Sequence, residues 1–331
     1  MVRTITTSAP ARIDLAGGTI DIWPLYLFHP GAQTLNAAIS IRAHATVSGR
    51  DDNLVVLRSI DTDTVVEAGD WRELRHEPRL RLLSLLAHFF EVTGITLETR
   101  SESPAGAGIA GSSALNVAVC AALSEWKREH LEPEALLQIA MNVEAQTINV
   151  PTGLQDYRPA LYGGVAAIEL DVDGVRRVPL DVDAAALQQR IVLCYTGEPR
   201  NSGTNNWEIT KRHIDGDRFV FDCFERIRDT AAHMRQALER GDWEGVGAAI
   251  AEEWSNRKRL APGVTTPVID DLIARATRAG ATAAKVCGAG GGGCLFCYGP
   301  PDARDAIKDA LSAGGARLLD YEIERHGLAR G

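Results

Sequence analysis

Ser103-Pro-Ala-Gly-Ala-Gly-Ile-Ala-Gly-Ser-Ser-Ala114 is the stretch that decides the fold. It joins a predicted strand at residues 95–100 to a long apolar helix predicted at residues 112–127. Its glycines let the backbone curl with N–H groups pointing inward, and the start of the helix adds positive potential. The stretch therefore predicts an anion-binding site, and phosphate is the expected ligand. A simpler interpretation stays open, in which Ser112 only caps the helix.

The same glycines also fit a different phosphate-binding fold. Gly106-x-Gly108-x-x-Gly111 matches the dinucleotide fingerprint, and Glu125 lies near the expected acidic position. However, the polar Ser101-Glu-Ser-Pro104 separates the strand from the first glycine, whereas the fingerprint needs a tight turn. A Walker A loop is excluded, because GxxxxGK[ST] does not occur in the chain.

Composition excludes several classes of protein. The chain has 331 residues, 45% of them hydrophobic, with 35 Lys+Arg against 44 Asp+Glu and a formal net charge of −9. The length favours two domains or one large one, and the acidic balance argues against binding nucleic acid or anionic lipid. No stretch approaches the roughly 20 apolar residues that span a bilayer, and the N-terminus lacks the apolar core of a signal peptide. We therefore expect a cytoplasmic protein with no nucleic-acid and no membrane partner.

Cysteine usage fits the same compartment. Six cysteines in apolar contexts predict buried, reduced thiols. Cys294-x-x-Cys297 lies in a predicted strand, where residues three apart point to opposite faces. This pair therefore does not predict a metal site.

Strand-like and helix-like stretches alternate along the whole chain. Runs rich in Val, Ile and Thr predict four strands, at 4–7, 40–48, 53–59 and 64–67. The first helix is predicted after them, at 79–92. The second half predicts four strands, at 190–195, 282–287, 294–298 and 316–321. It also predicts a Gly/Asn/Ser-rich loop at 197–206 and four helices, at 217–239, 243–260, 267–279 and 302–313. The mixture predicts an α+β fold. The polar stretch 171–183 predicts a boundary between domains at 1–175 and 176–331.

A second glycine run predicts another ligand-facing loop. Gly288-Ala-Gly-Gly-Gly-Gly293 follows Lys285-Val-Cys and precedes a strand. Consecutive glycines remove every side chain from one surface and permit positive φ, as a backbone that closes over a ligand requires. A purely structural turn would need one or two glycines.

Two charged constellations could carry chemistry. In Ala9-Pro-Ala-Arg12-Ile-Asp-Leu-Ala-Gly-Gly18-Thr-Ile-Asp21, Arg12 and Asp21 bracket a small-residue turn, which fits a charged pair beside a pocket or a surface salt bridge. Glu144 is followed twelve residues later by Asp156. Phosphoryl transfer needs one carboxylate on Mg²⁺ and one group that orients or deprotonates the acceptor hydroxyl. Glu144 and Asp156 could divide these two roles between them. In so polar a stretch, the two carboxylates could equally be solvated side chains without a catalytic role.

Together and in this order, these segments resemble the GHMP kinase superfamily, which includes galactokinase and homoserine, mevalonate and phosphomevalonate kinases. The motifs are Ala-Pro-Ala-Arg12, Pro104-x-Gly-x-Gly with Ser-Ser-Ala114, Glu144 with Pro151-x-Gly153-x-x-Asp156 as in galactokinases, and Lys285-Val-Cys-Gly-Ala-Gly-Gly-Gly-Gly293. The resemblance implies an N-terminal α+β domain, with the nucleotide at its interface with a ferredoxin-like C-terminal domain.

Within that superfamily the chain is similar to the D-glycero-D-manno-heptose 7-phosphate kinase group. The similar segments are Leu15-Ala-Gly-Gly-Thr-Ile-Asp21, Leu35-Asn36-Ala-Ala-Ile39, Tyr195-Thr-Gly197 with Arg200 and Ser202, Leu260-Ala-Pro-Gly263, and Gln155-Asp156. The group typically reads Ala-Gly-Gly-Gly-Thr-Asp, whereas Thr19-Ile20 replaces Gly-Thr here. Because the change lies beside Asp21, it bears on the identity of the sugar and not on the kinase chemistry.

The resemblance also implies roles for individual residues. Asp156 would be the catalytic carboxylate facing the acceptor hydroxyl, and Arg12 beside it would keep Asp156 ionised and stabilise charge on the phosphoryl group. Mg²⁺ would be held by Glu144 and a serine, which is Ser113 when counted from Ala114 and Ser112 when counted from Pro104. The ATP phosphates would meet Gly106, Ala107, Gly108, Ile109, Ala110, Gly111 and Ser112.

The implied substrate-binding set is Gly18, Thr19, Asp21, Asn36, Gly153, Gln155, Arg200, Gly290 and Gly291. For a phosphate on the acceptor, the candidate cations are Arg200, Arg257 and Lys258. The run from Arg257 to Arg259 also fits a solvated helix face.

The implied activity is that of a Mg-ATP-dependent sugar 1-kinase, a phosphotransferase with an alcohol group as acceptor. The favoured acceptor is the anomeric hydroxyl of D-glycero-D-manno-heptose 7-phosphate, and the alternative is an unphosphorylated sugar such as fucose or galactose. Arg12, where mevalonate kinases usually carry Lys, favours a sugar. The rivals from other classes are a nucleotide-binding oxidoreductase and a catalytically silent, ligand-sensing member of the fold. The expected partner is a small-molecule sugar or sugar phosphate, and a homodimer stays open.

Overall fold

The computed structural model describes residues 3–199 and 202–331. Its strands are β1 (Thr4–Ala16), β2 (Gln33–Gly49), β3 (Val55–Ser59), β4 (Thr64–Ala68), β5 (Ile95–Ser101), β6 (Val165–Asp171), β7 (Gly174–Pro179), β8 (Ile191–Tyr195), β9 (Ala283–Val286), β10 (Cys294–Tyr298), β11 (Arg317–Leu318) and β12 (Ala329–Arg330). Its helices are α1 (Arg81–Phe89), α2 (Gly111–Lys127), α3 (Pro133–Ile148), α4 (Tyr157–Tyr162), α5 (Ala184–Arg190), α6 (Ser202–Ile214), α7 (Arg218–Arg240), α8 (Trp243–Arg257), α9 (Pro267–Arg278) and α10 (Arg304–Ala313). The predicted α+β class is confirmed.

Two sheets organise these elements. The larger follows the order β12-β1-β2-β5-β3-β4, with β6 and β7 continuing from the other half of β2. The long strand β2 makes this possible, because its first residues pair with β6 and its last residues pair with β5. The smaller sheet is antiparallel in the order β11-β8-β10-β9. In the part of the chain that the structure describes, no helix is both long and apolar enough to cross a membrane.

Strand β1 carries Arg12 in extended backbone, whereas the sequence predicted a strand only at residues 4–7. The sequence from Ala9 to Ala16 is buried at every position, so it lacks the alternation that marks a half-exposed strand. Its small residues let α2 pack against β1 and β2. The turn begins only after β1, at Gly17, whose φ is +81°.

Three further stretches differ from their predicted structure. Helix α6 begins at Ser202, inside the predicted loop at 197–206, although Gly, Asn and Thr have weak helix propensity. Residues 149–159 have no helical pattern in the sequence, yet α4 begins among them at Tyr157. The polar stretch 171–183 contains β7, which pairs antiparallel with β6.

The end of the chain returns to the N-terminal sheet. The Ser40 N–H donates to the Glu322 carbonyl at 2.8 Å, and the Leu328 N–H donates to the Leu161 carbonyl at 3.1 Å. Strand β12 then pairs antiparallel with β1. The larger sheet is therefore completed by residues far from it in sequence.

All six cysteines are buried thiols, as predicted. Cys294 packs into one hydrophobic cluster and Cys297 into another. The two side chains therefore lie on opposite faces of β10, as their spacing on a strand predicts.

Candidate active site

The glycine-rich loop lines a cavity of about 410 Å³, which we call the loop cleft. Its wall includes six residues from the loop and the start of α2, namely Gly106, Ala107, Gly108, Ala110, Gly111 and Ser112, together with Ser113, Glu144, Gly153 and Asp156. Ile109 is the exception in the predicted phosphate-binding run. Its side chain is in the hydrophobic core, and its carbonyl accepts from the Arg12 N–H at 2.9 Å.

Helix α2 begins without a side-chain cap. The residue before its first turn, Ala110, adopts a left-handed conformation with φ of 60° and makes no capping hydrogen bond. The interpretation that Ser112 only caps the helix is therefore wrong. The first N–H groups of α2 have no partner within the helix, and the positive end of the helix dipole lies beside the loop cleft. This is the arrangement that suits an anion.

Arg12 and Asp156 form a charged pair at the rim of the loop cleft. Arg12 Nε donates to Asp156 Oδ1 at 3.0 Å, and Nη2 donates to the same oxygen. Nη1 donates to the Gly108 carbonyl at 2.9 Å, which fixes the guanidinium against the loop. Burial disfavours the charge, but attraction to Asp156 and Asp14 outweighs it and raises the pKa of Arg12. Arg12 is only 1% exposed, so it forms no surface salt bridge, and its hydrogen-bonded partner is Asp156, not Asp21.

Glu144 receives three hydroxyl donors inside the loop cleft. Ser112 donates to Oε1, Ser113 donates to Oε2 at 2.9 Å, and Tyr157 donates to Oε2 at 2.7 Å. Burial raises the pKa of Glu144, against the lowering effect of the Ser112 and Tyr157 hydrogen bonds. Glu144 is 6% exposed, so the alternative of a solvated carboxylate is wrong for this residue. A buried carboxylate beside two hydroxyls is a set of hard oxygen ligands that fits Mg²⁺.

A second, much smaller cavity lies on the other side of Asp156. This inner pocket holds about 30 Å³ and is lined by Arg12, Thr19, Asp21, Ile22, Gly153, Gln155, Asp156, Asn206, Gly288 and Ala289. Asp21 is fully buried, and its Oδ2 accepts from the Gln155 N–H at 2.8 Å. Burial raises the pKa of Asp21 to about 6, and the charge of Asp156 adds to that shift. Asp21 Oδ1 and Gln155 Oε1 are buried without hydrogen-bond partners among the described residues.

Behind the inner pocket lies a buried cluster of charges from both sheets. Lys285 Nζ contacts Asp14 Oδ2 and Glu253 Oε2, each at 3.2 Å. Arg257 Nε donates to Glu253 Oε1 at 2.7 Å, and Arg257 Nη1 donates to Thr19 Oγ1 at 3.0 Å. Burial opposes ionisation of Asp14, but Lys285, Arg12 and Arg257 outweigh it and lower the pKa of Asp14. The prediction of a solvated face at Arg257 is therefore wrong for that residue, because its guanidinium is paired inside the protein, whereas Lys258 is exposed.

Other predicted substrate residues lie away from the inner pocket. Gly290 packs against the Val264 carbonyl, and the Gly291 N–H donates to that carbonyl at 2.9 Å, whereas Gly288 and Ala289 line the pocket. Asn36 is buried on β2, where its Nδ2 donates to Thr34 Oγ1 at 2.9 Å. Arg200 lies outside the described residues.

Gly18 borders the cluster without lining the inner pocket. A Cβ at this position would lie 2.7 Å from Arg257 Nη2 and 2.9 Å from Gln155 Nε2, so there is no room for a side chain. The two atoms nearest to that Cβ belong to polar side chains, one from each half of the chain. Glycine here lets Arg257 approach Thr19 closely.

The second glycine run approaches the first. Gly293 has φ of +78°, and a Cβ there would lie 2.6 Å from the Ala107 carbonyl. The Cys294 N–H donates to the same carbonyl at 2.6 Å. The loop therefore closes on the glycine-rich loop through backbone contacts, which a Cβ at Gly293 would obstruct.

Sequence reasoning missed several residues of the site. Tyr157 begins α4 and was not distinguished from other aromatic residues, and Asp14 and Glu253 carry no local signal. Asn206 was assigned to a loop, although it lies in the first turns of α6 and lines both cavities. For Asp14 the one clue was its spacing of two residues after Arg12, which places both side chains on one face of a strand.

The chain is similar to known proteins along almost its whole length. Residues 80–164 match the sequence profile of the GHMP kinases N terminal domain, and residues 234–317 match that of GHMP kinases C terminal. A curated D-glycero-alpha-D-manno-heptose 7-phosphate kinase from Campylobacter jejuni is 27% identical, over 99% of this chain and 98% of the relative.

Two solved structures show the same fold. A D-glycero-D-manno-heptose 1-phosphate kinase from Bacteriodes thetaiotaomicron aligns with a TM-score of 0.80 at 23% identity, over 99% of this chain and 98% of that one. Galactokinase from Lactococcus lactis, solved with galactose, aligns with a TM-score of 0.78 at 21% identity, over 99% of this chain and 95% of that one. With profiles of both domains in order along one chain, the protein belongs to the GHMP kinase superfamily.

Proposed function

We propose that this protein is a Mg-ATP-dependent sugar kinase. The observation that carries the proposal is the position of Asp156, which lines the loop cleft and the inner pocket and is held by Arg12 between them. A carboxylate at the junction of an anion site and a polar pocket is where a hydroxyl would meet a phosphoryl donor.

The loop cleft would hold the nucleotide phosphates. The uncapped start of α2 and the loop backbone supply N–H donors without a lysine. Glu144 and the hydroxyls of Ser112 and Ser113 would hold Mg²⁺, which neutralises phosphate charge when bound. Both serines contact Glu144, so either hydroxyl fits the second ligand position.

In the proposed step, Asp156 orients the acceptor hydroxyl and takes its proton. The hydroxyl oxygen forms a bond to the γ-phosphorus as the bond from that phosphorus to the ADP oxygen breaks. Arg12 holds Asp156 through two hydrogen bonds before transfer and stabilises charge on the phosphoryl oxygens during it. The Gly108 carbonyl holds the guanidinium in place for both roles.

The favoured acceptor is the anomeric hydroxyl of D-glycero-D-manno-heptose 7-phosphate, giving a 1,7-bisphosphate. The similarity to the Campylobacter jejuni enzyme along the whole chain supports a heptose phosphate. Asp21 and Gln155 offer hydrogen-bond acceptors to the hydroxyl donors of a sugar. The alternative acceptor is an unphosphorylated sugar such as fucose or galactose.

The test is ADP release with Mg-ATP across heptose 7-phosphates, galactose, fucose, other hexoses and mevalonate, with each product located by NMR. A 1,7-bisphosphate would establish the acceptor and the position of transfer together. Turnover only with an unphosphorylated sugar would keep the kinase assignment and change the acceptor. Absence of acceptor-dependent ADP release with every sugar would contradict the proposal.

A further inference from the structure

Asn206, in the C-terminal half of the chain, lines both the loop cleft and the inner pocket. Within the described parts of the chain, the residues lining the loop cleft and the inner pocket together are Gly153, Asp156 and Asn206. Gly153 and Asp156 belong to one loop of the N-terminal half, whereas Asn206 comes from α6. Its side chain therefore borders the junction between the cavities on the side contributed by α6.

The amide of Asn206 has an unused hydrogen-bonding group. Its Oδ1 is buried and has no partner among residues 3–199 and 202–331. Leaving a buried polar group unsatisfied costs about 1–3 kcal/mol, so native proteins seldom retain one without a use. Asp21 Oδ1 and Gln155 Oε1 line the same inner pocket and also lack partners. All three atoms accept hydrogen bonds, so the pocket is matched to a ligand that brings O–H donors.

An amide suits this junction because it both donates and accepts. Its Oδ1 can accept from a hydroxyl in the inner pocket, while the two N–H groups of Nδ2 can donate to a phosphoryl oxygen in the loop cleft. In place of the Asn206 amide, a carboxylate would add a second negative charge beside Asp156 and repel the phosphates. An aliphatic side chain would bind neither the acceptor nor the phosphoryl group.

We propose that Asn206 is a catalytic residue of the kinase reaction, which binds the acceptor through Oδ1 and the transferring phosphoryl group through Nδ2. This proposal rests on the proposed function and adds a residue to it. As the new O–P bond forms, the hydroxyl proton passes to Asp156 and ADP leaves with the electron pair of the broken P–O bond. Asn206 neither gains nor loses a proton. It holds the phosphoryl group in line with the acceptor oxygen, and its hydrogen bonds to both are kept in the transition state.

The test uses steady-state kinetics of the full chain with Asn206→Ala, Asn206→Asp and the control Glu208→Gln. Glu208 is exposed on the same helix, so the control reports any general effect of altering α6. We expect Asn206→Ala to lower kcat by about 10–100-fold and to raise KM for the acceptor by about 10-fold. We expect Asn206→Asp, which keeps the acceptor oxygen, to leave that KM within about 3-fold of wild type. Its kcat should fall further than that of Asn206→Ala, because the added charge faces the phosphates.

Each outcome decides the proposal. Kinetic constants within about 3-fold of wild type for both Asn206 variants would overturn it. Equal loss of kcat in the Glu208→Gln control would overturn it too, because the effect would then belong to the helix. If Asn206→Ala fails to fold by circular dichroism, the nearly isosteric Asn206→Asp decides alone. Absence of wild-type turnover with any sugar would instead remove the proposed function.

Discussion

Thr19 accepts a hydrogen bond from Arg257 across the two halves of the chain, with 3.0 Å between Oγ1 and Nη1. Thr19 has φ of +73°, a left-handed conformation that disfavours a β-branched residue. It also lies where the similar heptose kinase group has glycine. The contact therefore ties a strained residue of the inner pocket to a buried charge in α8.

Thr19→Val should destabilise the protein by about 1.5–3 kcal/mol, because it removes a hydrogen bond to a buried charged group and keeps the strain. Urea unfolding at neutral pH measures the loss. Thr19→Ser is the matched control, since it keeps the hydroxyl. A Thr19→Val protein as stable as wild type would show that Arg257 gains nothing from this contact.

Thr19→Gly should be more stable than Thr19→Val, because glycine relieves about 1–2 kcal/mol of left-handed strain. It also removes the side chain from the wall of the inner pocket. We expect the KM values for different sugar acceptors to draw closer together, while KM for ATP stays unchanged. Acceptor selectivity identical to wild type would exclude Thr19 from substrate discrimination.

Asp156→Asn should lower turnover by about 100-fold or more, because the amide cannot take the hydroxyl proton. Nucleotide binding should survive, since the loop and α2 are untouched. Calorimetry with ADP and single-turnover kinetics separate the two effects. Turnover near that of wild type would remove Asp156 from the catalytic role.

Glu144→Gln should weaken binding of Mg-ADP far more than binding of ADP without metal. The amide keeps an acceptor for the serine hydroxyls but loses the charge that Mg²⁺ prefers. Titration calorimetry with and without Mg²⁺ measures the difference. Glu132→Gln, at an exposed position just before the same helix, is the control. Equal weakening of ADP with and without metal would contradict a metal role for Glu144.

Asp21→Asn should stabilise the protein above pH 6, in exchange for weaker acceptor binding. The folded-state pKa of Asp21 is raised to about 6 from an ordinary value of 3.8, so the folded state holds the proton more tightly than the unfolded state. Stability contributed at this site therefore falls as pH rises from 3.8 to 6 and stays low above that.

The variant should gain up to about 3 kcal/mol at pH 7.5, because each pKa unit corresponds to about 1.4 kcal/mol. The gain should shrink towards pH 4. Unfolding curves at several pH values check this, with exposed Asp51→Asn as the control. A gain that does not depend on pH would show that burial of the Asp21 charge is not its cause.

Glu253→Gln should cost about 3–5 kcal/mol, because it removes the carboxylate that faces both Arg257 and Lys285 in the buried cluster. The neighbouring Glu252→Gln is a matched control, since Glu252 is exposed on the same helix. Thermal unfolding of the two variants measures the difference. Similar stability in both would mean that the cluster tolerates an unbalanced charge.

The sequence could predict the parts of the site whose chemistry is local. The glycine-rich loop, the long helix after it and the glycine run near residue 290 are visible because glycine spacing reflects backbone geometry. Arg12 and Asp156 could be named from motifs, but their hydrogen bond joins positions 144 residues apart and needs the fold.

Burial of Arg257 could not be predicted from its neighbours, since Lys258 and Arg259 resemble a charged surface. The balancing negative charges come from Glu253 one helical turn earlier and from Asp14 on β1. The start of α6 was missed because its Gly, Asn and Thr residues are typical of a loop.

Pairing of β12 with β1 has a consequence for the order of events during synthesis. Thr7 and Ser8 are synthesised more than 300 positions before their partners Arg330 and Ala329. At about 5–20 residues per second, that edge of the sheet stays open for roughly 15–60 s. An open strand edge is a template for other chains. The edge of β1 at Thr7 and Ser8 is therefore open to other chains until β12 has been synthesised.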